Sequence, residues 1–232
     1  MREEDKSAVR GLRLFRSMDP ERFETMLRGS FFQRFPAHVV LIGEGEPADF
    51  LHVVVDGSVE LFGAWHDQES TMDVVRPVST FILAAVIKDA PYLMSARTLE
   101  ASNILMIPSE NLRKAMIEDD ALSHSMVTEL AACFRVMVKS LKNVKLRSGV
   151  ERLANYLLHQ HGIQNCPASL TLPHEKRVLA SLLGMTPENL SRAFNTLRPY
   201  GVTVRGAEIE LSRIEDLRRL AKPTPLIDDP AS

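Results

Sequence analysis

Glu188, Ser191 and Arg192 stand at i, i+3 and i+4, so a single helix would carry all three on one face. A forked cation, a carboxylate and a small hydroxyl grouped in this way have the donors and acceptors needed to read base edges in a DNA groove. Taken alone, Glu188 and Arg192 would be an ordinary surface pair worth about 0.3 kcal/mol. The reading therefore depends on the elements that position them.

Those elements are written in the flanking sequence. From Glu175, the run Glu-Lys-Arg-Val-Leu-Ala-Ser-Leu-Leu has apolar residues at helical spacing and stops at Gly184, the residue type that most easily closes a helix in the left-handed conformation. Thr186 can cap the next helix, and Pro187 sits at its first position, where a missing N–H costs nothing. Leu190, Phe194 and Leu197 then face away from the polar trio. Helix, glycine turn and second helix form a helix-turn-helix, in which the start of the second helix meets the major groove. Downstream, Val202 to Leu211 alternates apolar and polar residues around Arg205-Gly206-Ala207, as a β-hairpin would, which makes the unit a winged helix. Thr186, Lys176, Arg177, Arg198 and Arg205 are the candidate contacts to the DNA backbone. Residues 139–222 hold 14 lysines and arginines against 7 acidic residues, a local +7 in a chain whose net charge is −2. Double-stranded DNA is the partner this charge suits.

At 232 residues, with 45% hydrophobic and 25% charged residues, the chain has material for one large or two modest domains. No run reaches transmembrane length and the start, Met-Arg-Glu-Glu-Asp-Lys, lacks a signal-peptide core, so a cytoplasmic protein without membrane association is expected. Cys133 and Cys166 are too few for a disulfide framework or for a four-cysteine iron–sulfur cluster. A Gly-rich phosphate loop, a His-Glu-x-x-His helix and a nucleophile elbow are all missing, so no enzyme is expected.

The first half has another character. Residues 9–29 read as short helices, followed by short β-rich runs at 39–42, 51–55, 59–62, 73–75, 96–99 and 104–107, separated by turn formers such as Asp56-Gly57. The pattern suggests a compact antiparallel roll. From Ala121 to Leu146 a single long helix is expected, with Met126, Leu130, Cys133, Met137, Leu141 and Val144 in a near-heptad stripe. Such a stripe either packs on its own domain or forms a homodimer seam, and two-fold operators, which need recognition helices about 34 Å apart, favour the seam. Ser148-Gly149 breaks the pattern as a hinge, and Pro223 onward reads as a loose tail. The expected fold class is α+β: an effector-sensing roll at 1–118, a dimerisation helix at 119–147, a winged helix-turn-helix at 148–222 and a flexible tail at 223–232.

In this order of parts, and in Gly45-Glu-Pro-Ala-Asp-Phe-Leu-His-Val-Val-Val-Asp-Gly57, Val150-Glu-Arg-Leu-Ala154 and Leu183-Gly-Met-Thr-Pro-Glu-Asn-Leu-Ser-Arg192, the chain resembles the Crp/Fnr superfamily of transcription regulators from about residue 12 to residue 220. The resemblance implies a cyclic-nucleotide-binding-like roll, a homodimer and RNA polymerase as a partner. The Glu-x-x-Ser-Arg spacing is that of the fumarate and nitrate reduction branch, which reads TTGAT-like half-sites. By that resemblance Arg192 pairs with guanine O6/N7, Glu188 accepts from a cytosine amino group and Ser191 touches a thymine.

The sensor departs from the cyclic-AMP branch. Ser79 to Ser95 is almost entirely apolar where cyclic-nucleotide readers hold ribose and phosphate, and Met137-Val138 replaces a Thr-Ser pair, so cyclic AMP is not expected. Ala90 to Ala96 and Ser140-Leu-Lys-Asn143 are similar to the nitric-oxide-responsive denitrification regulators, the DNR/NnrR type, which implies haem b. Phe81, Ile82, Leu83, Tyr92, Met94 and Met137 would line its apolar pocket, with His124 and His66 as candidate iron ligands. The alternative is a sensor of the same fold that binds another small ligand, or whose pocket is packed shut.

Overall fold

A computed structural model of the chain describes residues 3–66, 68–165 and 169–229, so Cys166 lies outside the described residues. The chain divides into two compact units, one ending at Cys133 and one starting at Phe134.

The first unit opens with α1 (Glu3–Arg10) and α2 (Pro20–Met26). Asp19 caps α2 by accepting from the Glu21 and Arg22 N–H groups, and Pro20 takes the first position. The strands follow as β1 (Phe31–Phe35), β2 (Val40–Ile42), β3 (Phe50–Asp56), β4 (Val59–Trp65), β5 (Gln68–Val75) and β6 (Ser79–Phe81). After α3 (Leu83–Lys88) come β7 (Ser95–Thr98), β8 (Ser102–Pro108) and α4 (Ser109–Glu118). Two antiparallel sheets result, in the orders β1-β8-β3-β6 and β2-β7-β4-β5. The expected roll is present: β2, β3, β4, β5, β7 and β8 cover the β-rich runs, whereas β1 and β6 were not anticipated.

Its core is apolar, with Leu51, Val53, Val54, Val59, Ile104 and Ile107 fully buried. Gly57 turns β3 into β4 at φ 88°, and a Cβ there would fall 2.3 Å from Ser102 Oγ, so both backbone conformation and space require glycine. One charge cluster is built into the second sheet. The buried Glu60 carboxylate accepts from Thr71 Oγ1 (2.5 Å) and from Arg97 Nε (2.6 Å), and Arg97 also reaches Glu69 and lies 4.2 Å from the Phe62 ring. A buried carboxylate paired in this way ties β4, β5 and β7 together without an unsatisfied charge.

The long helix α5 runs from Asp120 to Leu146, one residue longer than expected. The two compact units part within it, between Cys133 and Phe134.

The second unit continues with α6 (Gly149–Gln164), β9 (Ser169–Thr171), α7 (Lys176–Leu182), α8 (Pro187–Leu197), β10 (Val202–Arg205), β11 (Glu208–Leu211), α9 (Ile214–Ala221) and α10 (Pro225–Asp228). The hairpin pairs Arg205 with Glu208 around Gly206, and β9 adds an unanticipated third strand beside β11. Leu153, Leu157, Leu179, Leu190, Leu197, Ile209 and Leu217 close the core.

At Ser148-Gly149 a new helix starts: Ser148 Oγ accepts from the Glu151 N–H while the Glu151 carboxylate takes the Ser148 N–H, a complete capping box. One expectation about the joints is corrected. The tail from 223 is docked as far as Asp229. Asp228 forms a bidentate ion pair with Arg147, and Lys139 Nζ donates to the Asp229 carbonyl at 2.7 Å. These partners lie far away in sequence, so a Pro- and Asp-rich segment read by composition alone looks loose.

Candidate nucleic-acid interface and sensor region

The recognition helix is assembled as its residues require. Gly184 takes φ 61° and ends the α7 turn, and Thr186 caps α8 by accepting from the Asn189 N–H at 3.3 Å. Leu190, Ala193, Phe194 and Leu197 are buried, leaving Glu188, Ser191 and Arg192 exposed together. Glu188 and Arg192 form no ion pair with each other among the described residues. The surface-pair reading therefore loses its main support. The Thr186 hydroxyl and the residue's own N–H hold the Glu188 carboxyl below the usual range, with Arg192 contributing, so it stays an ionised acceptor. Ser191 Oγ donates back to the Pro187 carbonyl at 3.1 Å and can still accept.

The candidate backbone contacts Thr186, Lys176, Arg177, Arg198 and Arg205 are all exposed. Arg205, at the wing turn, lies 3.4 Å from Glu210 in an exposed ion pair that a phosphate could displace.

One positioning residue escaped the sequence reading. Arg152 is buried inside α6 and donates to the Leu183 and Gly184 carbonyls at 2.7 and 3.2 Å, and to those of Arg147 and Val144 at 2.7 and 3.3 Å. Helix C-termini leave carbonyls without partners and carry partial negative charge, so a single guanidinium satisfies the ends of α5 and α7 together. It fixes the turn before the recognition helix to the end of the long helix. A buried arginine in the first turn of an amphipathic helix was the available signal.

The expected seam divides. Met126 is 1% exposed in the first unit's core, which removes it from an intersubunit face, while Leu130 is half-buried against that core. The start of the stripe packs on its own domain because the roll lies against these first turns. Beyond it Cys133 is exposed, as are Met137 (69%), Leu141 (55%) and Val144, joined on the same side by Phe134 (67%). An apolar face of this extent on a soluble helix needs a cover.

The expected effector residues divide between the first unit's core and the exposed part of α5. Phe81, Leu83 and Tyr92 are buried in the first unit's core, Ile82 and Met94 pack against it, and Met137 is exposed in the second unit. His124 and His66 are both exposed, the latter edge-on to Trp65. A third histidine sits in the core instead. The His52 ring stacks on Phe81 at 5.4 Å and meets Tyr92 edge-on at 6.5 Å. Its Nδ1 has no hydrogen-bond partner among the described residues, and burial lowers its pKa to about 4 against the opposing Phe50 carbonyl. The polar interruption of the apolar run Leu51 to Val55 was its signal in sequence.

Two domain families match: the cyclic nucleotide-binding domain over residues 32–119 and the Crp-like helix-turn-helix domain over residues 151–220. A structure from Silicibacter pomeroyi DSS-3, provisionally described as a cAMP-binding regulatory protein, is 30% identical, covers 96% of this chain and 100% of its own, and has a TM-score of 0.60. The chain belongs to the Crp/Fnr family. This Crp/Fnr-type protein is a DNA-binding transcription regulator. It is 22% identical to the CRP-like cAMP-activated global transcriptional regulator of Mycobacterium tuberculosis over 216 residues, covering 90% of this chain and 96% of that one. DNR from Pseudomonas aeruginosa shares its fold, at 20% identity and a TM-score of 0.52 over 95% of this chain and 99% of that one. Among the described residues, no helix is long and apolar enough to cross a membrane.

Proposed function

We propose that this regulator acts as a homodimer that reads TTGAT-like palindromes, with Arg192 on guanine, Glu188 on cytosine and Ser191 on thymine. The observation that carries this reading is the exposed face with Glu188 and Arg192, which form no ion pair with each other, at the start of a capped helix whose opposite side is buried. The exposed face of Phe134, Met137, Leu141 and Val144 supports the dimer, because a two-fold operator needs two such helices. The action is on transcription in the cytoplasm, with RNA polymerase as the implied partner. Anisotropy titration of a labelled TTGAT palindrome against a scrambled duplex tests the DNA part, and equal affinity for both would refute it.

For the sensor, the second alternative is the better supported. What weighs against haem is that Phe81 and Tyr92 lie against the buried His52 and that the candidate ligands His124 and His66 are exposed. A sensor of this fold that answers to a different small ligand is the reading adopted, and neither nitric oxide nor nitrogen-oxide metabolism is part of it. An absorption spectrum of protein mixed with haem tests this, since a Soret band of full occupancy would restore the haem reading.

A further inference from the structure

The first unit holds a cavity of about 310 Å³ away from the packed effector residues, bounded by the loop after α1, the edge strand β6 and the side of α5. This size is at the lower end of small-molecule sites, about 300–1,000 Å³. Its walls carry opposite charges. Arg13 comes from the loop and Glu129 from α5, with Ser79 and Thr80 between them and Leu12 and Val78 supplying the apolar part. Neither Arg13 nor Glu129 makes an ion pair or a side-chain hydrogen bond among the described residues. Two residues beyond Thr80, Ile82 holds φ 56°, a left-handed conformation that a β-branched side chain rarely adopts. Backbone strain of this kind gathers at ligand clamps and switch regions.

We infer that this cavity is an effector site for a small zwitterionic amino-carboxylate, such as a free amino acid. The guanidinium of Arg13 accommodates a carboxylate through paired N–H donors. Glu129, half-buried, would repel a simple anion and attract an ammonium group. The Ser79 and Thr80 hydroxyls can satisfy the remaining polar atoms, and a short side chain would rest on Leu12 and Val78. The phosphodiester of a cyclic nucleotide carries no positive charge to pair with Glu129, whereas the ammonium of an amino acid does. A ligand bound here would bridge α5 to β6 and the α1 loop, and would so favour whichever α5 position keeps both walls in reach.

This inference rests on the proposed sensor role of the first unit and is independent of how α8 reads DNA. The test is thermal unfolding of the full chain with each common L-amino acid and with succinate, at about 1 mM, a concentration that detects even weak sites. At least one amino acid should raise Tm by about 2–4 °C, and the shift should vanish in both Arg13→Gln and Glu129→Gln while their unliganded Tm stays near wild type. No shift with any amino acid, or a shift retained in both variants, would overturn the inference. A shift with succinate that survives Glu129→Gln would overturn the zwitterion and leave a carboxylate site. Operator binding measured on the same preparations separates failure of this site from failure of the DNA reading.

Discussion

Both carboxylate oxygens of Asp228 accept from the Arg147 guanidinium, each at 2.6 Å, so the last helical turn of the chain is fastened to the residue that follows α5. The Thr224 N–H also donates to Asp228, at 2.7 Å. Arg147 in turn offers its carbonyl to Arg152, which holds the turn before the recognition helix. The C-terminal turn, the end of the long helix and the helix-turn-helix are thus joined through three side chains within the second unit.

Burial raises the Asp228 carboxyl, but Arg147 and the Thr224 N–H outweigh it and leave the pKa below the usual range. A carboxyl depressed in the folded state contributes stability above its unfolded pKa and loses it as pH falls through the folded one. Asp228→Asn should therefore cost about 1–2 kcal/mol at neutral pH, and less in acid, as read by urea unfolding. An unchanged midpoint at neutral pH would show the strap to be idle.

The two ends of the α5 stripe should respond differently to charge. Met137→Glu places a carboxylate on the exposed face and should give folded monomers with weakened operator binding, whereas Met126→Glu buries a charge in the roll and should unfold the first unit. Sedimentation velocity and circular dichroism read both results. A folded dimer from Met137→Glu would place the interface elsewhere.

His52 gives the roll a pH signature. Its pKa is lowered to about 4 by burial, so the unfolded chain binds the proton first, and stability falls as pH drops from the unfolded value near 6.5 towards 4. Across that window the loss approaches about 3 kcal/mol. His52→Phe should remove this dependence, and an identical pH profile in wild type and variant would contradict it.

Much of this was legible in the sequence because the signals were local. The alternating runs of the roll, the Thr186 cap, the Gly184 turn and the exposed trio on α8 are fixed by neighbours within a few residues. What was not legible depends on distant partners. Arg152 finds its acceptors at 144, 147, 183 and 184, and Asp228 is 81 residues from Arg147. Phe81, Leu83, Val86 and Tyr92 in the apolar stretch from Ser79 to Ser95 are buried, whereas Leu93 is exposed, and the contact of His52 with Phe81 and Tyr92 comes from a different strand that the stretch itself does not reveal. The stripe on α5 showed period without showing where the roll stops covering it, which the exposures of Met126 and Met137 decide.

The central claim is that Arg192 reads the guanine of a TTGAT half-site, and the most direct measurement is an anisotropy titration with 7-deazaguanine at that base. Wild-type protein should lose about 5-fold in affinity, about 1 kcal/mol and the low end of the range for a bidentate contact, because O6 is kept and only the N7 acceptor is removed. Arg192→Ala should already show that loss on the natural site, should lose nothing further on the altered base, and should keep its affinity for random DNA. If Arg192→Ala is as sensitive to the base change as wild type, or weakens specific and random DNA equally, the recognition helix is not the reader.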